Sequence, residues 1–132
     1  MRPATARVSP PAVGQLELRE TPSRLFALLR ERQKLLKRLM DSDGRGAISR
    51  ATDEFLRHGF ALPDEQAVHL QLLEHFDETR AQESLTAMKR LLAAEPPIKK
   101  PVLDQRLRRL EEHADEVVTR DLAADLRRTL RT

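Results

Sequence analysis

A cluster of five cations is the densest group of chemically active side chains in this sequence of 132 residues. Within residues 30–38 one acid, Glu31, opposes it, so the segment carries a local charge of +4. Such cations can contact the phosphates of a polyanion, and each contact adds salt-dependent affinity. Leucines interrupt the run, so its cations are distributed around the helix. The alternative interpretation is that they form a solvent-exposed outer face. The predicted polyanion patch consists of Arg30, Arg32, Lys34, Lys37 and Arg38.

A segment rich in aspartate and glycine follows this cluster and lies between two predicted helices. It resembles the loop of an EF-hand calcium site. The resemblance implies calcium ligands at Asp41, Asp43 and the backbone carbonyl of Ala47. Arg45 and Thr52 depart from the pattern, because they stand where an oxygen ligand and the bidentate glutamate belong. A simple helix connection, with glycine turns and aspartate caps, is the alternative interpretation.

Side chains suited to catalysis are few. The chain has no cysteine, and its four histidines form no ligand pair at helical spacing with a supporting acid. No phosphate-binding glycine loop or nucleophile–histidine–acid arrangement is visible. His75 and His113 precede predicted hinges, where a charged imidazole interacts favourably with a helix C-terminus. We therefore expect a protein that is not an enzyme and holds no cofactor.

The elements that position these residues are predicted to be helices. Apolar residues recur with helical spacing, and no stretch alternates in the manner of a strand. Thr21 is a good N-cap with Pro22 at the first helical position, so the first helix is predicted to begin there. The second is predicted over about 49–58, where Gly59 ends it in a left-handed conformation and Phe60 packs back on Phe55.

Two regions are expected. Residues 1–20 contain three prolines and no helical or strand period, which predicts a flexible tail. Residues 21–132 are predicted to form a single all-α domain of six helices. The third to sixth helices are predicted to start near Pro63, Thr79, Pro101 and Asp115.

An internal repeat organises these helices. Residues 72–78 return 38 residues later as residues 110–116, and this period is typical of repeat proteins built from one supersecondary unit. Each predicted helix pair has a hinge near an aspartate, at Asp41, Asp77 or Asp115. The chain therefore predicts three antiparallel helix pairs, of which the first is a divergent copy.

Two-helix units with a proline near the start and an aspartate at the hinge resemble HEAT-type repeats of α-solenoids. The resemblance covers residues 63–130 clearly and residues 22–60 loosely. It implies a stacked array that presents helix faces to another macromolecule; a six-helix orthogonal bundle is the rival interpretation. In such arrays the second helix of each pair lines the binding face. The candidate partner-binding residues there are Arg57, Arg80, Lys89, Arg90, Arg127 and Arg128.

Charge and hydropathy limit the partners. Residues 1–60 hold 12 Lys and Arg against 7 Asp and Glu, a balance of +5, and residues 61–132 hold 12 against 14, a balance of −2. No apolar run approaches the ~20 residues of a membrane span, and the N-terminus lacks the apolar core of a secretory signal. We therefore expect a cytoplasmic protein without a membrane partner.

The predicted function is a non-enzymatic protein–protein interaction or scaffold module. Binding of nucleic acid or another polyanion through arginine and lysine on helix faces is the first alternative. A degenerate calcium-binding module is the second.

Overall fold

The computed structural model describes the backbone of residues 11–131 and the side chains of residues 22–131. The chain divides into two compact units, residues 1–34 and 35–132. The described part of the first unit belongs to helix α1 (Pro11–Asp41). The second unit, here called the helical body, contains the end of α1 and five more helices. These are α2 (Arg45–Arg57), α3 (Gln66–Leu72), α4 (Glu78–Leu92), α5 (Lys100–His113) and α6 (Val117–Arg131). The described residues contain no strand, so the all-α prediction with six helices is confirmed for them.

Helix α1 begins earlier than predicted. It starts at Pro11, ten residues before the predicted start at Thr21, and it contains Pro22 in its interior. A proline at the first position of a helix cannot be distinguished in the sequence from a proline inside a helix. The predicted start of α1 was therefore too late. Of the predicted flexible tail, residues 11–20 lie in α1 and residues 1–10 lie outside the described residues.

Helix α2 is bounded by two glycines in left-handed conformation. Gly44 has φ 90° and allows the helix to begin at Arg45, four residues before the predicted start. Gly59 has φ 84°, and the ring centroids of Phe55 and Phe60 are 5.5 Å apart. The predicted glycine cap and its aromatic contact are therefore confirmed.

The core of the helical body lies among α3 to α6. Helix α3 packs on α4 and α5 packs on α6, while α4 also packs on α6 and α2 on α3. The helix pairs therefore pack against each other as predicted. A second, smaller cluster joins Leu39 of α1 to Ile48 and Ala51 of α2. The main core contains Leu70, Leu73, Ala81, Leu85, Met88, Leu103, Leu107, Leu110, Ala114, Ala123 and Leu126.

Two pairs of residues related by the 38-residue offset are buried alike. Leu72 and Leu110 are both buried, and so are Met88 and Leu126. Other equivalent positions differ, since His75 is buried and His113 is exposed. The repeat in the sequence is therefore matched in burial at some of its positions.

Neighbouring pairs are joined by a polar contact that recurs at the same offset. Gln71 of α3 donates to the carbonyl of Leu39 at the end of α1, over 2.8 Å. Arg109 of α5, 38 positions later, donates to the carbonyl of Leu73 at the end of α3, over 3.0 Å. The last carbonyls of a helix lack partners inside that helix. Each pair therefore satisfies the helix end of the pair before it.

The start of α6 is held by a side chain of α4. One Glu78 oxygen accepts from the Asp115 amide over 2.6 Å, and the other from the Glu116 amide over 3.0 Å and the Thr119 hydroxyl over 2.7 Å. At the start of α4, by contrast, Asp77 accepts from the Thr79 amide over 2.9 Å. Glu78 thus acts at the terminus where the sequence predicted Asp115 as the cap.

Candidate interaction surfaces

The predicted partner-binding cations of α4 and α6 are held mostly within the chain. Arg90 contacts Asp64 at 2.6 Å, and Lys89 and Arg128 both contact Asp125 at 3.2 Å. The His69 and Arg90 hydrogen bonds lower the pKa of Asp64 from its usual value. The Lys89 hydrogen bond does the same to the pKa of Asp125. These contacts occupy the cations that the sequence assigned to a partner.

Arg127 and Arg80 also have internal partners. Arg127 bridges Asp104 at 3.1 Å and Glu111 at 3.2 Å, and only 13% of its side chain is exposed. The hydrogen bond to Asp104 raises the pKa of Arg127. Arg80 lies 3.5 Å from Glu83. Arg127 therefore joins α6 to α5 instead of facing a partner.

Arg57 is arranged differently. Among the described residues it has no carboxylate within ion-pair distance, and the same holds for Arg50 on the same helix. Both line a surface cavity of about 680 Å³ in the helical body, together with Arg38. Arg38 forms an ion pair with Glu54. The cavity therefore contains Arg38 of the predicted polyanion patch and Arg57 of the predicted partner-binding residues.

The predicted polyanion patch is divided between the two units. Arg30, Arg32 and Lys34 belong to the first unit, whereas Lys37 and Arg38 belong to the helical body. Lys37 pairs with Asp41, four residues later on the same helix.

The calcium-like segment does not form a long loop. Helix α1 ends at Asp41 and α2 begins at Arg45, so Ala47 lies inside the first turn of α2. Arg45 donates to the Glu74 carbonyl over 3.2 Å, and its guanidinium lies 4.8 Å from the centre of the Phe76 ring. Among the described residues, no group of three or more His, Asp or Glu side chains is placed to hold a metal ion.

The two repeat-equivalent histidines have different surroundings. His75 is buried, its Nδ1 accepts from the Asp77 amide, and its Nε2 lies 2.9 Å from Asp53 of α2. His75 thus links the hinge backbone to a side chain of α2. The side chain of His113 is 72% exposed, and its nearest acid, Glu112, is 3.8 Å away. Only His75 therefore joins elements of the fold.

An exposed apolar face on α1 was missed by the sequence analysis. Four large apolar side chains occur within residues 25–29: Leu25 is 53% exposed, Phe26 59%, Leu28 55% and Leu29 47%. The spacing of the leucines is helical, which predicts the helix but not its exposure. The structure shows the difference: residues 22–30 are all exposed, whereas the same helix becomes buried at Leu35. We call Leu25, Phe26, Leu28 and Leu29 the α1 apolar face.

A second exposed apolar group lies at the start of α6. Val117 and Val118 are 59% and 57% exposed. Exposed acids flank them on both sides, at Asp115, Glu116 and Asp121. The combination of apolar and acidic residues gives this surface a different chemistry from that of the α1 apolar face.

Comparison of the chain with protein-family models, with curated proteins and with solved structures finds no match. The HEAT-type and EF-hand resemblances are therefore still predictions. None of the helices within the described residues has both the length and the apolar character needed to cross a membrane. The exposed surfaces described above are the basis for a functional proposal.

Proposed function

We propose that this protein is a non-enzymatic protein–protein interaction or scaffold module, in which a HEAT-like helical body carries a helix that binds a partner. The α1 apolar face carries this proposal. Its four side chains are 47–59% exposed and adjacent on one helix. Grouped exposed apolar residues are typical of interaction sites, and an amphipathic helix commonly docks such a face into a partner's groove.

The polar surface of the helical body supports the same proposal. Arg127 is only 13% exposed and lies between two carboxylates of the same chain, and Lys89 and Arg90 have carboxylate partners although they are 64% and 58% exposed. We propose that most of the binding energy comes from α1, since buried apolar anchors dominate most interfaces. The chain has no cysteine, which suits the reducing cytoplasm where we propose that the module acts.

Site-specific photo-crosslinking in the native cell tests the proposal. A photoreactive residue replaces Phe26, and a matched one replaces Glu83, which is exposed on α4. We expect the first position to give discrete protein adducts and the second to give none. Equal labelling from both positions, or no adducts from position 26, would contradict the proposed function.

A pair of single substitutions isolates the apolar face from the charge of the helix. Leu29→Asp places a carboxylate on the face, whereas Ala27→Asp places the same charge about 160° away around α1. Both positions are exposed, so both variants should melt like the wild type. We expect only Leu29→Asp to lose the adducts, and loss in both variants would indicate a charge effect.

Polyanion binding is the second candidate, favoured by the cavity in which three arginines, Arg38, Arg50 and Arg57, outnumber two acids, Asp53 and Glu54. If it is correct, Arg50→Glu combined with Arg57→Glu should abolish salt-sensitive binding of single-stranded RNA in a mobility-shift assay. Arg128→Glu is the matched control, because Arg128 already pairs with Asp125. Wild-type protein that never shifts RNA at low salt would eliminate this candidate.

A further inference from the structure

We infer that the α1 apolar face binds a second copy of this chain, and that the surface it meets is the exposed start of α6. This inference rests on the proposed function, because it names the partner of the same face. Both surfaces have large exposed apolar side chains, and the charge balance of one surface is opposite to that of the other.

The α1 surface is apolar and basic. Residues 24–34 contain the α1 apolar face and four cations, Arg24, Arg30, Arg32 and Lys34, against one acid, Glu31, a balance of +3. Arg30 and Lys34 are exposed and lie one helical turn apart. They lie about 100–140° around the helix from Leu29. Arg30 lies about 40° around the helix from Phe26, so it borders the apolar face and can pair with a carboxylate at its rim. Lys34 lies one turn further along, on the side of the helix that carries Ala27, and extends the basic surface.

The α6 surface is apolar and acidic. Residues 112–121 contain four acids, Glu112, Asp115, Glu116 and Asp121, against Arg120, a balance of −3 with histidine neutral. All four acids are exposed, and Val117 and Val118 lie between them. Docking of α1 here covers apolar residues of both copies and places opposite charges together, an arrangement that also steers association.

Other pairings of the same surfaces leave charges or apolar residues unmatched. Two α1 faces packed on each other would bring two balances of +3 together. An anionic membrane would match α1 but would leave Val117, Val118 and their acids without a role. When the α1 surface of each copy contacts the α6 surface of the other, the two reciprocal contacts form an isologous twofold dimer.

Charge exchange in two variants tests the inference. Variant one carries Arg30→Glu and Lys34→Glu, and variant two carries Glu112→Lys and Asp121→Lys; all four positions are exposed. Each variant alone sets like charges against each other, so each should dimerise at least about tenfold more weakly than the wild type. A mixture of the two restores opposite charges at both contacts of a reciprocal dimer. The mixture should therefore dimerise like the wild type.

The measurement is molar mass by light scattering or sedimentation, over a wide range of protein concentration. We expect a wild-type dimer that weakens as salt rises, because exposed charge pairs are screened. A wild type that is monomeric throughout overturns the inference. A dimer that neither variant weakens, or that the mixture fails to restore, also overturns it.

Disulfide trapping locates the contact. The chain has no cysteine, so Leu29→Cys in one copy and Val118→Cys in another can form only the intended mixed disulfide or a symmetric one. We expect the mixed disulfide to dominate under mild oxidation. Dominance of the symmetric disulfide between two Leu29→Cys copies would indicate α1 paired with α1 and overturn the inference.

If position 26 crosslinks a different protein while this chain is monomeric, the proposed function survives and the inference fails. If position 26 crosslinks nothing, both fail.

Discussion

The carboxylate of Glu78 offers the sharpest test of how the helix pairs are joined. It accepts three hydrogen bonds from the start of α6, although it belongs to α4. Thr119, one of the donors, is fully buried and also accepts from Gln82 over 2.9 Å. We therefore choose Glu78→Gln, which keeps the size of the side chain but removes its charge and one acceptor oxygen.

The expected loss of stability follows from these contacts. An amide at position 78 directs its NH2 group at one of the backbone donors, so at least one bond to the α6 terminus is lost. Loss of a helix cap costs about 0.5–2 kcal/mol, and loss of a negative charge at a helix N-terminus costs about 0.3–1 kcal/mol. Because Glu78 is half-buried, water screens part of the charge effect, and we expect a total of about 1–2 kcal/mol.

The pH dependence has a defined sign. Partial burial raises the pKa of Glu78, but the Thr119 hydroxyl and the Asp115 and Glu116 amides outweigh it and hold the pKa below its usual 4.5. A carboxyl whose folded pKa is lowered stabilises the fold fully above its unfolded pKa. That contribution is lost as pH falls through the folded pKa. The difference between wild type and Glu78→Gln should therefore be constant near neutrality and shrink below about pH 4.5.

Urea denaturation followed by circular dichroism, at neutral pH and at several acidic values, measures this difference. Glu112→Gln is the matched control: it removes the same charge at an exposed position on α5, where we expect a change within about 0.5 kcal/mol. The reasoning is refuted if Glu78→Gln is as stable as Glu112→Gln at neutral pH. It is also refuted if the deficit of Glu78→Gln persists unchanged in acid.

Three further predictions use the same denaturation assay. His75→Ala should lose about 2 kcal/mol or more, because a buried side chain that bonds α2 and the hinge is removed, whereas His113→Ala should be nearly neutral. Arg109→Ala should lose about 1–2 kcal/mol through its bonds to the end of α3, and the exposed Arg108→Ala should lose little. Leu107→Ala should cost about 2–5 kcal/mol, because this side chain is completely buried. Equal effects within either matched pair, or a Leu107→Ala variant of wild-type stability, would contradict the packing described above.

Helix content and pairing could be predicted from the sequence because both depend on local patterns. Apolar spacing and short links located all six helices, and Gly59 marked the end of α2 through its left-handed conformation. The start of α1 could not be located in this way. Pro22 indicates the start of a helix only if the residues before it are not helical. The residues around Pro22 do not show whether they are.

The contacts between pairs could not be predicted, because they join residues that differ in chemistry or lie far apart. Gln71 and Arg109 occupy equivalent positions and both bond the end of a preceding helix, yet one is an amide and the other a guanidinium. His75 and His113 are identical in type and position, but only His75 meets an acid on a preceding helix, Asp53. Sequence similarity therefore indicated a repeat but did not show which side chains join the helix pairs.

Binding by α1 can change without loss of the fold, because the side chains of α1 and of the helical body have different contacts. In the helical body, cations such as Arg127 and Arg109 bond carboxylates or helix ends of the same chain, so substitutions there act first on stability. On α1, residues 25–29 are exposed apolar side chains, so polar substitutions there remove no core contact. Binding and stability are thus encoded by different residues. A polar substitution on the α1 apolar face should abolish the proposed contact at an unchanged melting temperature, whereas a substitution of a buried body residue such as Leu107 should weaken it only by unfolding the chain.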